Sequence, residues 1–243
     1  MTFELKYKQF GASSILMEWP QRIDKAILND ILRFKSKIEQ SDFSNIMTLN
    51  HAYASLLITY DVSNFDVSSE ILKLSDLYQS ADEVYESKYT LWKIPVCYDQ
   101  SFGIDLESLS KEKCIDVDDV IKMHSQSVYT IYFIGFLPGF LYLGGLDEQL
   151  FTPRRATPRL KIEKGAVAIG GKQTGVYPSE SPGGWNIIGN SPVHFFDVSK
   201  AEPCFAKAGD SLQFYPVTLK VYQDIQTLVD AGIYQIESEV LDG

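Results

Sequence analysis

The chain has 243 residues, 45% of them hydrophobic and 22% charged, which is the balance of a globular protein of about one to two domains rather than of a tail or linker. A formal net charge of −10 and a sequence pI near 4.8 disfavour nucleic acid and anionic membrane surfaces as partners. No run approaches the roughly 18 apolar residues of a membrane span, and the start MTFELKYK lacks the apolar core of a secretion signal, so a cytoplasmic protein is expected.

Phe3, Leu5 and Tyr7 alternate over residues 3–8, and 15–19 follows after Gly11; both read as opening strands. Over 21–40 the apolar residues Ile23, Ile27, Ile31, Phe34 and Ile38 recur at spacings of three and four, which predicts a helix with one buried stripe. Strands are expected over 45–50 and 53–60. Asp66 or Ser68 then caps a second helix whose inward face is Ile71, Leu74, Leu77 and Tyr78. The order βαββα is that of a small α/β sandwich, with one sheet face covered by helices. The pattern loosens over 83–88, where the domain boundary is placed. A strand is expected over 90–98, and a helix over 116–125 with Val117, Val120, Ile121 and His124 on one face. Residues 193–198 and 211–215 read as strands, the second preceded by the turn signal Ala208-Gly209-Asp210. Residues 222–231 read as a short terminal helix with Tyr222, Ile225, Leu228 and Val229 on its packed face.

The stretch 129–190 stands apart. It holds eleven of the sixteen glycines and five of the ten prolines among β-branched and aromatic runs such as 131–133 and 167–169, the signature of a β-barrel or of a ligand-lining loop system. It is also locally basic within an acidic chain, which suits a small anion better than a polyanion. Thr152-Pro153-Arg154-Arg155-Ala156-Thr157-Pro158-Arg159 sets three guanidinium forks on a backbone that two prolines hold extended, and such forks grip carboxylate or phosphate with two bonds each. The same strip also reads as a solvated turn whose arginines pair with surface carboxylates such as Asp147.

The run from Gly165 to Thr174 looks like a phosphate loop and is not one. Position 166 is alanine where glycine is needed, and Gln173 stands where the magnesium-binding Ser or Thr belongs. It reads as a strand entering a glycine turn, and Gln173, Thr174 and Tyr177 line a pocket if that turn faces one. Gly183 and Gly184 offer backbone N–H groups beside Trp185, which either walls a pocket or fills the core. Tyr142, in the aromatic turn 136–142, carries the same two readings. His124, on an apolar helical face, reads as a hydrogen-bonded core residue ahead of a base. Cys97, Cys114 and Cys204 are an odd number without a C-x-x-C pair and read as reduced core thiols, a reactive thiol being the alternative. With His51, His124 and His194 they show no zinc spacing, so no metal is expected. There is no G-x-S-x-G elbow, and no residue is assigned as catalytic.

Four motifs occur in order: Gly135-Phe-x-Pro-Gly-Phe-x-Tyr-Leu, Thr152-Pro-Arg-Arg-Ala-x-Pro-Arg, Gly170-Gly-x-Gln-Thr-Gly-Val-Tyr-Pro and Pro182-Gly-Gly-Trp-x-x-Ile-Gly. With His124-Ser125 and Ala208-Gly-Asp beside them, the chain resembles the family of the B subunit of the bacterial ATP-dependent 5-oxoprolinase. That family includes the sporulation-kinase inhibitor proteins and the first subunit of the so-called allophanate hydrolase. The resemblance implies an α+β chain: a small N-terminal α/β sandwich over 1–87, a cyclophilin-like β-barrel over 88–218, and a C-terminal tail with a short helix over 219–243. It implies partnership with the C and A subunits of 5-oxoprolinase in ATP-driven hydrolysis of 5-oxoproline to glutamate, ATP being bound by the complex. Arg154, Arg155 and Arg159 would then hold the substrate carboxylate or the transferred phosphate, Gln173, Thr174 and Tyr177 would bond its polar groups, and Gly183, Gly184 and Trp185 would shape the pocket floor; Tyr142 and His124 complete the candidate substrate-binding set. Two other functions share the motifs: inhibition of a histidine kinase by a binding module, and the barrel half of a biotin-dependent carboxyltransferase of the urea carboxylase type.

Overall fold

The computed structural model describes residues 3–43, 45–61, 65–80 and 88–242, and the chain parts between Ser87 and Lys88 into two units. In the first, strands β1 (Lys6–Phe10), β2 (Ser14–Glu18), β3 (Ile46–Ala52) and β4 (Ser55–Tyr60) make an antiparallel sheet of order β1-β2-β4-β3. Helix α1 (Lys25–Gln40) starts at Asp24, whose carboxylate accepts from Ala26 N–H, and α2 (Val67–Gln79) starts likewise at Asp66. The period-3.6 stripe of α1 (Ile27, Ile31, Phe34, Ile38) and Leu74 and Tyr78 of α2 pack on the period-2 face of the sheet formed by Ile15, Met17, Leu56, Ile58 and Tyr60. Ile23, expected on that stripe, precedes the helix and is exposed. Buried Asp30 on α1 ties the layers together by accepting from Trp19 Nε1 at 2.8 Å and from the Tyr78 hydroxyl at 2.7 Å.

The second unit contains β5 (Lys88–Val96), α3 (Leu106–Lys113), α4 (Val117–Gln126), β6 (Val128–Ile134), β7 (Leu141–Gly144), β8 (Arg159–Ile162), β9 (Ala166–Gly170), β10 (Gln173–Val176), β11 (Ser181–Gly183), β12 (Asn186–Asn190), β13 (Ser211–Pro216), α5 (Leu219–Asp230) and β14 (Glu237–Asp242). Eight strands form one sheet in the order β12-β9-β10-β7-β6-β13-β5-β14, while β8 and β11 pair as a separate ribbon. The expected barrel is not closed. β14 pairs with β5 along Lys88–Lys93, and further along the same edge Cys97, one residue beyond β5, meets the end of β12, exchanging bonds with Asn190 at 2.8 and 2.9 Å. Residues 219–242 are therefore part of this unit, supplying a helix and an edge strand. Of the four apolar residues expected on the packed face of α5, Tyr222 is buried, its hydroxyl bonded to Asn190 Oδ1 at 2.9 Å, while Leu228 is exposed.

The strand expected over 193–198 is absent. Pro192 has no N–H for a ladder, and the Asp197 carboxylate takes the Ser199 N–H at 3.0 Å, turning the chain after Val193 and Phe195 have plugged into the core. Among the described residues no helix is long and apolar enough to cross a membrane, and no cluster of three or more His, Cys, Asp or Glu is placed to hold a metal.

Candidate functional site

The strip 152–159 is pinned along its length. Thr152 exchanges backbone bonds with Gly171 at 3.0 and 2.7 Å, Pro153 O accepts from Asn186 Nδ2 at 3.0 Å, and Arg155 N–H donates to Gly184 O at 2.7 Å. The arginine strip and the Gly-Gly-Trp turn are thus one assembly, joined before β8 begins at Arg159. From it the three guanidiniums go to different places. Arg154 lies 5.7 Å over the Trp185 ring, a cation–π distance. Arg155 and Arg159 converge on Asp105, a buried carboxylate absent from the candidate set read from the sequence. Arg159 grips it as a fork, Nη1 to Oδ2 at 2.8 Å and Nη2 to Oδ1 at 2.7 Å, whereas Arg155 gives it one bond of 3.1 Å.

Beside the strip lies a buried aromatic cluster in which Phe140, Tyr177 and Trp185 are 1, 2 and 5% exposed, so Tyr177 and Trp185 fill the core instead of walling an open pocket. Phe140 sets its ring at 84° to both Tyr177 and Trp185, with centroids 5.5 and 5.6 Å apart, and contacts Tyr142, which stacks on Phe133 at 4.1 Å. Two glycines make this packing possible. A Cβ at Gly170 would sit 2.6 Å from the Trp185 indole, and one at Gly183 would sit 2.4 Å from the Tyr177 hydroxyl. Burial pushes the Tyr177 phenol up, while a bond from the Trp185 backbone N–H opposes the shift. Phe136, at the tip of the preceding turn, is 63% exposed and holds φ +66°, a backbone region strained for a bulky residue.

Of the expected site residues, Arg154, Arg155, Arg159, Gly183, Gly184, Trp185, Tyr177 and Tyr142 are brought together. Gln173 is half-buried at the start of β10, opposite Gly170. Thr174 and His124 are elsewhere: both are wholly buried inside the second unit's core. The Thr174 hydroxyl donates to Ala168 O at 3.1 Å, so it accepts from His124 Nε2–H at 2.7 Å, which leaves Nδ1 to accept from the Tyr98 hydroxyl at 2.7 Å. The ring also stacks on Phe214 at 4.7 Å. Two cavities lined by described residues, of about 570 and 350 Å³, lie in the first unit around Phe43, and neither includes a residue of the strip.

Burial lowers the His124 pKa from 6.5 to about 3. Between these values the unfolded chain binds more protons than the folded one, so stability is whole above about pH 6.5 and falls as the pH drops toward 3, by up to about 1.4 kcal/mol per unit from this ring. Thermal melts of the chain and of His124→Asn from pH 7 to 4.5 are expected to show a shallower decline in the variant; parallel curves would contradict it.

Sequence comparison gives the class: residues 5–206 match the carboxyltransferase domain, subdomain C and D, and the chain belongs to that family. Within it, the chain is 32% identical over 234 residues to the B subunit of the Bacillus subtilis 5-oxoprolinase, covering 91% of this chain and 97% of that protein. It is 49% identical over 122 residues to the B subunit of the Haemophilus influenzae 5-oxoprolinase, half of this chain and 57% of that one. The crystal structure of the K. lactis urea amidolyase shares the fold, with a TM-score of 0.83 at 22% identity over 99% of this chain and 16% of that much longer one.

Asp105 lies in a stretch, Gly103-Ile-Asp-Leu, that carries no motif, and no element is expected there from the sequence. It stands at the N-terminus of α3, where its side chain makes no capping bond. The Asp in Ala208-Gly209-Asp210, read as a turn signal and as part of the family likeness, is likewise buried, and its carboxylate accepts from Thr90, Trp92 and Lys207.

Proposed function

We propose that this chain is the B subunit of an ATP-dependent 5-oxoprolinase, acting with the C and A subunits in the cytoplasm to open the 5-oxoproline lactam to glutamate. The observation that carries this reading is its likeness to the B subunit of a 5-oxoprolinase along 97% of that protein's length. The curled sheet of the second unit stands for the cyclophilin-like element of such proteins. The carboxyl-transfer alternative is not favoured, since urea amidolyase relatives are 22% identical and this chain spans 14 and 15% of their length. No feature of the site favours kinase inhibition.

A lactam carbonyl is a poor electrophile because nitrogen donates into it. Transfer of the γ-phosphoryl group of ATP to the amide oxygen, with ADP leaving, would turn the lactam into an imidoyl phosphate that is electrophilic at carbon. Water would add there, the C–N bond would break to free the amine, and hydrolysis of the remaining acyl phosphate would give glutamate and inorganic phosphate. In this reading ATP is a substrate of the complex. The Gly170-Gly171 turn does not fit it as a phosphate loop, because it joins β9 to β10 as a hairpin and no helix N-terminus follows. What this chain offers instead is a seat for the substrate. Arg155, with one donor engaged, and Arg154 over Trp185 face a small carboxylate, and half-buried Tyr142, backed by the buried Phe140–Tyr177–Trp185 cluster, is the ring left to flank a five-membered ring.

Reconstitution tests the reading. The A and C subunits together with this chain are expected to release glutamate from 5-oxoproline only when ATP is present. Omitting this chain is expected to lower release by about 100-fold or more, the scale of a lost positioning element. Undiminished release without it would overturn the proposal, as would inhibition of a histidine kinase by the chain alone.

A further inference from the structure

The geometry points to Asp105 as a positioning residue that sets the place of Arg155, an inference that rests on the reading just given. Asp105 stands at the N-terminus of α3, yet its backbone is helical, at φ −107° and ψ −3°, and its carboxylate caps nothing. A capping Asp would stabilise the helix, and this chain forgoes that contribution. Both carboxylate oxygens are used elsewhere and each accepts twice: Oδ1 from Arg155 and Arg159, Oδ2 from Arg159 and, at 2.7 Å, from Ile187 N–H on β12. Ile187 O in turn accepts from Asp105 N–H at 2.9 Å, so the carboxylate is fixed to the sheet from two directions.

The two arginines are not equivalent partners. Arg159 gives both teeth of its fork and its side chain is 24% exposed, whereas Arg155 gives one N–H and is 39% exposed. Two guanidiniums against one carboxylate leave one positive charge, and Arg155 is the one with donors to spare. Without Asp105 the two cations have no common anchor and repel each other. A buried ion pair is a weak device for stability alone, since apolar replacements often do as well. A carboxylate that holds one arginine rigid and tethers the next by a single bond is instead a means of fixing where the second one points.

A double-mutant cycle in the assembled complex tests this. Asp105→Asn is expected to lower kcat/KM for 5-oxoproline about tenfold, through KM, and to add nothing when Arg155 is already alanine, because Asp105 acts through Arg155. Arg159→Lys, which keeps the charge and loses the fork, is run alongside and is expected to lower kcat/KM about threefold with the same non-additivity; it carries the test where Asp105→Asn fails to assemble. Additive losses with either variant would show a structural role only and overturn the inference. If Arg155→Ala alone leaves kcat/KM unchanged, the assignment of the seat fails and the inference with it; a loss in Arg155→Ala with an additive cycle sinks only Asp105.

Discussion

Arg155→Ala is expected to lower kcat/KM for 5-oxoproline about 100-fold in the assembled complex while the thermal midpoint of the chain moves by only about 2 °C. Kinetic loss without structural loss follows from how Arg155 is held. Its backbone N–H bond to Gly184 O survives the substitution, and its side chain contributes one 3.1 Å bond to a carboxylate that keeps the Arg159 fork and the Ile187 N–H. A charge-assisted bond to a substrate carboxylate contributes about 1.5–3 kcal/mol, and a two-toothed grip lies at the upper end, which converts to about two decades. Steady-state kinetics at subsaturating 5-oxoproline, beside calorimetry of the isolated chain, separate the two effects. A large fall in the thermal midpoint with an unchanged kcat/KM would reverse the assignment.

The largest effect on stability is expected at Asp210. This carboxylate is 1% exposed and stands where the turn before β13 meets the start of β5. Oδ1 accepts from Thr90 N–H at 2.9 Å, and Oδ2 accepts from Trp92 Nε1 at 2.9 Å and Lys207 N–H at 3.0 Å. Asp210 O also accepts from Ile131 N–H at 2.8 Å, so three strands of the sheet meet at one residue. Alanine leaves three donors without their acceptor, each at about 1–3 kcal/mol where water cannot replace it. A total of about 4 kcal/mol lowers the thermal midpoint of a unit this size by about 10 °C. Differential scanning calorimetry of Asp210→Ala checks the figure. A shift below about 2 °C would mean that solvent reaches those donors.

Elements with a buried stripe were legible in the sequence: α1 through Ile27, Ile31, Phe34 and Ile38, and α4 through Val120 and His124. The elements that were missed have no stripe to read. α3 buries only Leu106 and Leu109 in eight residues. β14, with the sequence ESEVLD, is a polar edge strand held by its ladder to β5, and no alternation of apolar residues announces it. The candidate site was legible as a set of motifs but not as a network, because pairing at long range leaves no local trace. Asp105 and Arg159 are 54 positions apart, and nothing in either neighbourhood says that this carboxylate, and not a surface one such as Asp147, will occupy the fork. The same blindness placed His124 and Thr174 in the substrate set, although they bond each other 50 positions apart in the sequence, inside the core.

The central claim, that 5-oxoproline binds at the arginine strip beside the Trp185 cluster, is tested most directly by fluorine NMR of the complex with 5-fluorotryptophan in this chain alone. The chain has three tryptophans. Trp19 belongs to the first unit and is bonded to Asp30, Trp92 is bonded to Asp210, and Trp185 lies under Arg154. Titration with 5-oxoproline is predicted to move the Trp185 resonance saturably and leave the other two in place; a Trp185 resonance that stays fixed while the complex turns over the same substrate would contradict the account.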